Sequence, residues 1–196
     1  MILSGGLSTR FNGKNKALIN VGGMRILDRL YRIFSELFPE IILVTNDPGP
    51  FMEWDLTIVT DIFPVRSSLT GIHAGLFYMH NSFGFFTACD TPFLRKNLVE
   101  ALLENIEADK DVIMPETAAG LEPLCAIYSK RCLNAAEQHI KQNKFKIQRA
   151  LRKCRWKKIP ESKLLLKDPE LISFFNINTP EDLAQAEEMV ARGHGA

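Results

Sequence analysis

Residues 3–18, LSGGLSTRFNGKNKAL, carry three glycines (Gly5, Gly6, Gly13), three cations (Arg10, Lys14, Lys16), three hydroxyls (Ser4, Ser8, Thr9) and no acid. Glycines let a backbone run close to a ligand with its amides turned inward, and the cations supply charge to match an anion. The apolar Met1-Ile2-Leu3 leads straight into them, so Leu3, Ser4, Gly5 and Gly6 mark the point where a strand becomes a loop. Such a set suits a polyphosphate. It is not a P-loop: Gly6 and Gly13 are seven apart, and Asn15 rather than a hydroxyl follows Lys14. Nor is it the dinucleotide fingerprint, because Leu7 and Ser8 follow Gly5-Gly6. A solvated loop with ordinary lysines has the same composition, so this stretch alone leaves both readings open.

Acidic and amide side chains recur at matching places. Asp90 ends the apolar run FFTAC and is followed by Thr91-Pro92. A carboxylate there is a hard anion on a rigid element, apt for magnesium. It would equally stabilise a helix start. Asp61 and Asn46 each follow another apolar run, where a turn residue is also common. Asn176 and Asn178 flank Ile177, and strand alternation would put both amides on one side. There they could bind a ligand or complete a metal shell. The alternative is a turn and cap ahead of the last helix.

The elements that must position these residues can be read from periodicity. Continuous apolar runs at 41–45, 56–59, 84–88, 111–114 and 124–128 suit strands buried on both faces, as in a parallel sheet. Helical patterns lie between them. Met24, Leu27, Leu30, Tyr31, Phe34 and Leu37 form one apolar face, Leu94, Leu98, Ala101 and Leu102 a second, and Leu183, Ala186, Met189 and Val190 a third. Thr91-Pro92 and Thr179-Pro180 each read as a hydroxyl cap before a first-turn proline. The fold class is therefore α/β: one Rossmann-like, three-layer domain with a mostly parallel central sheet. Residues 110–178 are less regular and should include antiparallel pieces. In open α/β sheets ligands bind beyond the carboxyl ends of the strands, where these polar residues fall.

The stretch G-G-x-S-x-R-F-x-G-x-x-K, from Gly5 to Lys16, resembles the signature of the glycosyltransferase-A-like nucleotidyltransferases. In that superfamily the loop wraps a nucleoside triphosphate, and the resemblance implies that Arg10 and Lys16 hold its phosphates. Cys89-Asp90-Thr91-Pro92-Phe93 resembles the superfamily's metal-binding motif, with Asp90 on its aspartate. The ending Phe175-Asn176-Ile177-Asn178-Thr179-Pro180-Glu181-Asp182-Leu183, with Pro123-Leu124-Cys125-Ala126-Ile127-Tyr128, looks like the molybdenum cofactor guanylyltransferases. These motifs cover the front, middle and end of the chain in order.

That resemblance implies Mg2+-dependent transfer of GMP from GTP to molybdopterin-bound molybdenum, with pyrophosphate released. Lys16, Arg10 and Asp90 would be catalytic, and Asp90 the metal ligand. Leu3, Ser4, Gly5, Gly6, Asn46 and Asp61 would surround the nucleotide, and Asn176 and Asn178 the pterin. Residues 1–105 would form the nucleotide part, 106–191 the acceptor side and 192–196 a tail. A cytidylyltransferase, a sugar-phosphate acceptor or a non-catalytic nucleotide-binding module of the same fold are the alternatives. Two departures stand out. Relatives usually carry Gly-Pro-Leu-x-Gly where this chain has Ser67-Ser68-Leu69-Thr70-Gly71, and only Met1 and Ile2 precede Leu3, so the first strand should be short.

The composition is that of a globular protein: 196 residues, 46% hydrophobic, net charge +1. No global field favours nucleic acid or a membrane surface. Residues 141–158 are the local exception, with nine lysines and arginines among eighteen residues, Phe145 and Trp156 between them. They read either as a solvated helix face or as an anion-binding flank for a phosphate or a protein partner such as a molybdoenzyme maturation factor. Cys89, Cys125, Cys132 and Cys154 match no zinc template and read as reduced thiols of a cytoplasmic protein.

Overall fold

The computed structural model describes residues 1–5 and 15–194. Its strands are β1 Ile2–Leu3, β2 Asn20–Val21, β3 Met24–Arg25, β4 Ile42–Val44, β5 Thr57–Val59, β6 Phe83–Ala88, β7 Val112–Thr117, β8 Gly120–Leu121, β9 Cys125–Ser129 and β10 Trp156–Pro160. Its α-helices are α1 Ile26–Leu37, α2 Ser68–Tyr78, α3 Lys96–Leu103, α4 Leu133–Lys141, α5 Ile147–Ala150, α6 Glu161–Leu164 and α7 Pro180–Ala191.

Seven strands lie in the order β10-β7-β9-β6-β1-β4-β5, with β8 added to β7 as a hairpin. The pairings β5–β4, β4–β1, β1–β6 and β7–β10 are parallel, whereas β9 runs against both β6 and β7. The sheet is thus mostly parallel, as the apolar runs imply, and its reversed pieces fall within 110–178. Leu27, Leu30 and Phe34 of α1, Leu98 and Leu102 of α3 and Ala186 of α7 pack on one face. Leu69 and Ile72 of α2, Ala136 and Ile140 of α4 and Ile147 of α5 pack on the other.

Strand β1 is only two residues long, yet it is the pivot of the sheet. Ile2 and Leu3 pair with Leu43 and Val44 on one side and with Thr87 and Ala88 on the other. Helix α2 packs closely on the neighbouring strand β6. A Cβ at Gly75 would stand 2.5 Å from Cε1 of the fully buried Phe86, so only glycine permits this approach.

Three expectations from the sequence are corrected. Met24 is not on the α1 face: it is 37% exposed and sits in β3, paired with β2 across Gly22-Gly23. Both glycines have positive φ, +59° and +79°, as a two-residue hairpin turn requires, so the helix cannot begin before the hairpin closes. Thr91-Pro92 is not a helix start. The Thr91 hydroxyl turns back to donate to the Ala88 carbonyl (2.8 Å), and α3 waits until Lys96. Residues 176–178 are not a strand. Ile177 spends its N–H on the Asp90 carbonyl (2.9 Å) instead of a sheet ladder.

Candidate active site

Every parallel strand from β6 to β5 ends on the same side of the sheet, and the polar residues follow directly. Ser4 and Gly5 leave β1, Asn46 follows β4, Asp61 follows β5 and Asp90 follows β6. A cleft of about 470 Å³ opens there. Leu3, Ser4, Gly5, Lys16, Asp61, Asp90 and Asn178 line it, so residues from opposite ends of the chain share one cavity. Gly6 and Arg10 lie outside the described residues.

Lys16 is the hub. It opens a short 3-10 helix, Lys16–Leu18, capped by the Asn15 side chain, which accepts from Ala17 N–H (3.0 Å) and from the Ser4 hydroxyl (3.1 Å). This pins the lysine beside the end of β1. Its Nζ donates to Asp90 Oδ2 at 3.1 Å and to Asn178 Oδ1 at 2.8 Å. The lysine and aspartate side chains are 20% and 17% exposed, open enough for a ligand yet partly shielded from water. Asn178 is held in turn by the start of α7. Thr179 and Asp182 form a reciprocal capping box, and Asp182 Oδ2 also accepts from Asn178 N–H (2.8 Å). The Thr179-Pro180 helix start was therefore legible, and it places the amide.

Asn176 parts company with Asn178. Its Nδ2 donates to the Phe174 carbonyl (3.0 Å), and it is absent from the cleft lining. The shared face expected of a strand is lost because the segment is not one. Asn46 also stands behind the lining and acts through Asp61. The pair clasp reciprocally: Asn46 Nδ2 donates to Asp61 Oδ2 (2.8 Å), and Asp61 N–H donates to Asn46 Oδ1 (3.1 Å). The other carboxylate oxygen, Asp61 Oδ1, is buried without a hydrogen-bond partner. Burial raises the Asp61 pKa, opposed by the Asn46 hydrogen bond and by the charges of Arg66 and His73. That oxygen can accept an N–H or O–H from a ligand or from a water in the cleft.

Several further residues line the cleft. Asn15, Arg66, Thr45 and Leu124 all face the cleft. Asn15 had a legible signal, as a capping residue just before a short helix; Arg66 had only its charge. Ser67 and Ser68, the departure from the relatives' Gly-Pro, form the N-terminus of α2. Ser67 and Thr70 make a capping box, with Ser67 Oγ accepting from Thr70 N–H (3.1 Å). Serine thus offers the cleft a capped helix start, whose remaining amides favour anions or acceptor groups. Cys89, beside Asp90, is buried, and burial pushes its thiol up to about 12, which disfavours the thiolate.

The oxygens of Asp90 and Asn178 converge on one cation, the Lys16 ammonium. Hard oxygen donors already grouped around a positive charge fit magnesium, which takes one or two carboxylates and completes its shell with water and phosphates.

The chain is similar to known proteins over most of its length. The profile of the MobA-like NTP transferase domain matches residues 1–158. The chain is 40% identical over 193 residues to a molybdenum cofactor guanylyltransferase of Desulfosudis oleivorans, covering 98% of this chain and 96% of that one. It is 34% identical over 197 residues to a probable molybdenum cofactor guanylyltransferase of Natranaerobius thermophilus, covering 98% and 96%. Among solved structures it is similar to molybdopterin-guanine dinucleotide biosynthesis protein A from Archaeoglobus fulgidus, with a TM-score of 0.85, 31% identity and 97% of both chains covered. A 4-diphosphocytidyl-2C-methyl-D-erythritol synthase from Anaerococcus prevotii, TM-score 0.71 at 16% identity over 97% of this chain and 94% of that one, shares the fold.

Proposed function

The chain belongs to the MobA-like NTP transferase family, and on that premise we propose that it is a molybdenum cofactor guanylyltransferase. It transfers GMP from GTP to molybdopterin-bound molybdenum and releases pyrophosphate. The observation that carries the reading is the meeting of Lys16, Asp90 and Asn178 at the carboxyl ends of the strands, in a chain similar to guanylyltransferases over nearly its whole length.

In the reaction an oxygen of the acceptor's terminal phosphate attacks the α-phosphorus of GTP. A P–O bond forms there, and the bond to the β-phosphate bridge breaks. Both reactants are anions, so the obstacle is repulsion and charge build-up rather than proton transfer. Lys16 supplies positive charge where the phosphates lie, and Arg10 adds more by its place in the motif. Asp90 and Asn178 would hold Mg2+. When bound, that ion neutralises phosphate charge and orients the groups for in-line displacement. Asp61 Oδ1 would take a hydrogen bond from the nucleoside, with Asn46 fixing the carboxylate. The backbone of Leu3–Gly5 and of Gly6 would lie along the nucleotide. Asn178 would face the pterin side, whereas Asn176, tied to the Phe174 carbonyl, stands outside the cleft lining. No general base is needed, because the attacking phosphate is already ionised.

Residues 1–105 would thus serve the nucleotide and 106–191 the acceptor, with 192–196 a tail. No helix among the described residues is long and apolar enough to cross a membrane. All four cysteines are free, which fits a reducing compartment such as the cytoplasm.

Titration calorimetry with GTP, CTP, ATP and UTP, with and without Mg2+, tests the nucleotide half of the proposal. GTP is expected to bind at least ~10-fold more tightly than the others, an energy difference of ~1.4 kcal/mol, and to lose affinity without Mg2+. A preference for CTP would make the chain a cytidylyltransferase. No binding of any nucleotide would contradict the proposal.

A further inference from the structure

Away from the cleft, a second concavity of about 310 Å³ is lined by His139, Lys144, Arg149 and Arg152 and by no acidic residue. It shares no lining residue with the Lys16–Asp90 cleft. Helix α4 packs against α2 on one flank and α5 on the other, and the concavity lies on the α5 flank.

The local chain is folded to gather these cations. Helix α4 ends in a reversal at Asn143, whose φ of +55° is the left-handed conformation asparagine tolerates at a helix end. There the Lys144 N–H returns to the His139 carbonyl (2.9 Å), bringing the two residues side by side. Ile147, Ala150 and Leu151 are buried in the core, which leaves Arg149 and Arg152 exposed on the outer side. His139 Nδ1 faces the Ala135 carbonyl at 3.0 Å; a carbonyl only accepts, so Nδ1 carries the proton and the ring is fixed.

What separates these cations from a solvated charge run is their lack of acidic partners. Other cations nearby are matched: Lys141 with Glu137, Arg155 with Asp111, Lys157 with Glu107 and Lys158 with Glu116. Among the described residues Lys144 meets only the neutral Gln142 oxygen, at 2.8 Å, and Arg149 and Arg152 pair with no acid. Holding like charges around one hollow costs energy unless an anion shares it. Two guanidinium forks with an ammonium and an imidazole match the oxygens of a phosphate group.

We propose that the His139–Lys144–Arg149–Arg152 pocket is a second oxyanion site, taking a phosphate monoester or pyrophosphate. It stands independently of the guanylyltransferase reading, because it uses none of the residues assigned to transfer.

The test is amide NMR on the full chain carrying Lys16→Ala, which removes the cleft's phosphate-binding lysine. It is titrated at constant ionic strength with orthophosphate, pyrophosphate and GMP in turn. Expected are saturable shifts of amides within 139–153 at millimolar ligand or below, and at least a tenfold loss of affinity in Arg149→Gln/Arg152→Gln. Both arginines are exposed, so that variant should fold; its far-UV circular dichroism checks this. Tightest binding of pyrophosphate identifies the site with a reaction product, of GMP with a nucleotide, and equal binding of all three with phosphate in general. Shifts that never saturate, or that persist in the double variant, overturn the proposal.

Discussion

Replacing Asp90 by alanine is expected to lower GMP transfer at least ~10³-fold while the protein stays folded, and Lys16→Ala should cost ~10²-fold or more. The size follows from the chemistry. Two polyanions must meet, and a fixed cation or metal ligand acts on charge that grows in the transition state. Asp90 Oδ2 lies 3.1 Å from Lys16 Nζ, so each variant removes one half of a charge pair facing the cleft. Stability depends on the pair far less. Both side chains keep some solvent contact, and the Asp90 carbonyl, which anchors Ile177, is untouched by substitution. Asp90→Asn separates charge from shape: it keeps a group able to meet Lys16 and should still lose most of the activity. The checks are steady-state turnover and a thermal melt on the same samples. Wild-type turnover in either alanine variant would remove that residue from the site.

The second large effect is on stability. Asp111, just before β7, is 7% exposed and joins three chain segments. Its carboxylate accepts from Arg131 Nε (2.6 Å), Arg155 N–H (2.9 Å) and Arg155 Nε (3.2 Å). Its own N–H and carbonyl bond Arg155 (2.7 Å) and Ser129 (2.7 Å), so it sets the entry of β10 and the exit of β9. Asp111→Asn is expected to cost ~2–3 kcal/mol, the range for hydrogen bonds to a charged, shielded group. For a chain of this length that is a drop of roughly 5–10 °C in Tm.

The pH dependence follows from the shift. Burial alone would raise this carboxyl's pKa. The hydrogen bonds from the Arg155 side chain and backbone and from Arg131 outweigh it and hold the pKa well below the carboxylate range. A depressed carboxylate contributes in full above its unfolded value, ~4, and loses that contribution as pH falls below it. The gap in unfolding free energy between wild type and Asp111→Asn should therefore be flat from pH 5 to 8 and shrink toward pH 2.5. A gap of constant size over the whole range would show that the charge is not what stabilises this junction.

The legible parts of this molecule share one property: their cause is local. The apolar runs gave strands because they are buried on both faces. Thr179-Pro180 made a helix start because its capping partner, Asp182, is three residues away. Lys16 and Asp90 stand out by residue type and by their place after apolar runs, and they meet in the cleft. The misread parts depend on partners that the residue pattern itself does not reveal. Thr91 fails as a cap because its hydroxyl finds Ala88 and Thr87 at the end of β6. Asn176 and Asn178 diverge because Ile177 is tied to Asp90, which no local pattern reveals. Asn46 supports Asp61 across fifteen residues of chain, and Arg66 enters the cleft only because α2 begins there. Antiparallel pieces are expected within 110–178, but that β9 is the reversed strand is not legible, since an apolar run does not encode which way a strand points.

The most direct measurement follows the phosphorus itself. The protein is incubated with Mg2+, molybdopterin-bound molybdenum and GTP labelled at the α-phosphate, and the products are separated. The expected result is label in a pterin–guanine dinucleotide, one pyrophosphate released per dinucleotide formed, and no transfer from α-labelled CTP. Label confined to GTP, or moved only from CTP, would contradict guanylyl transfer as the function.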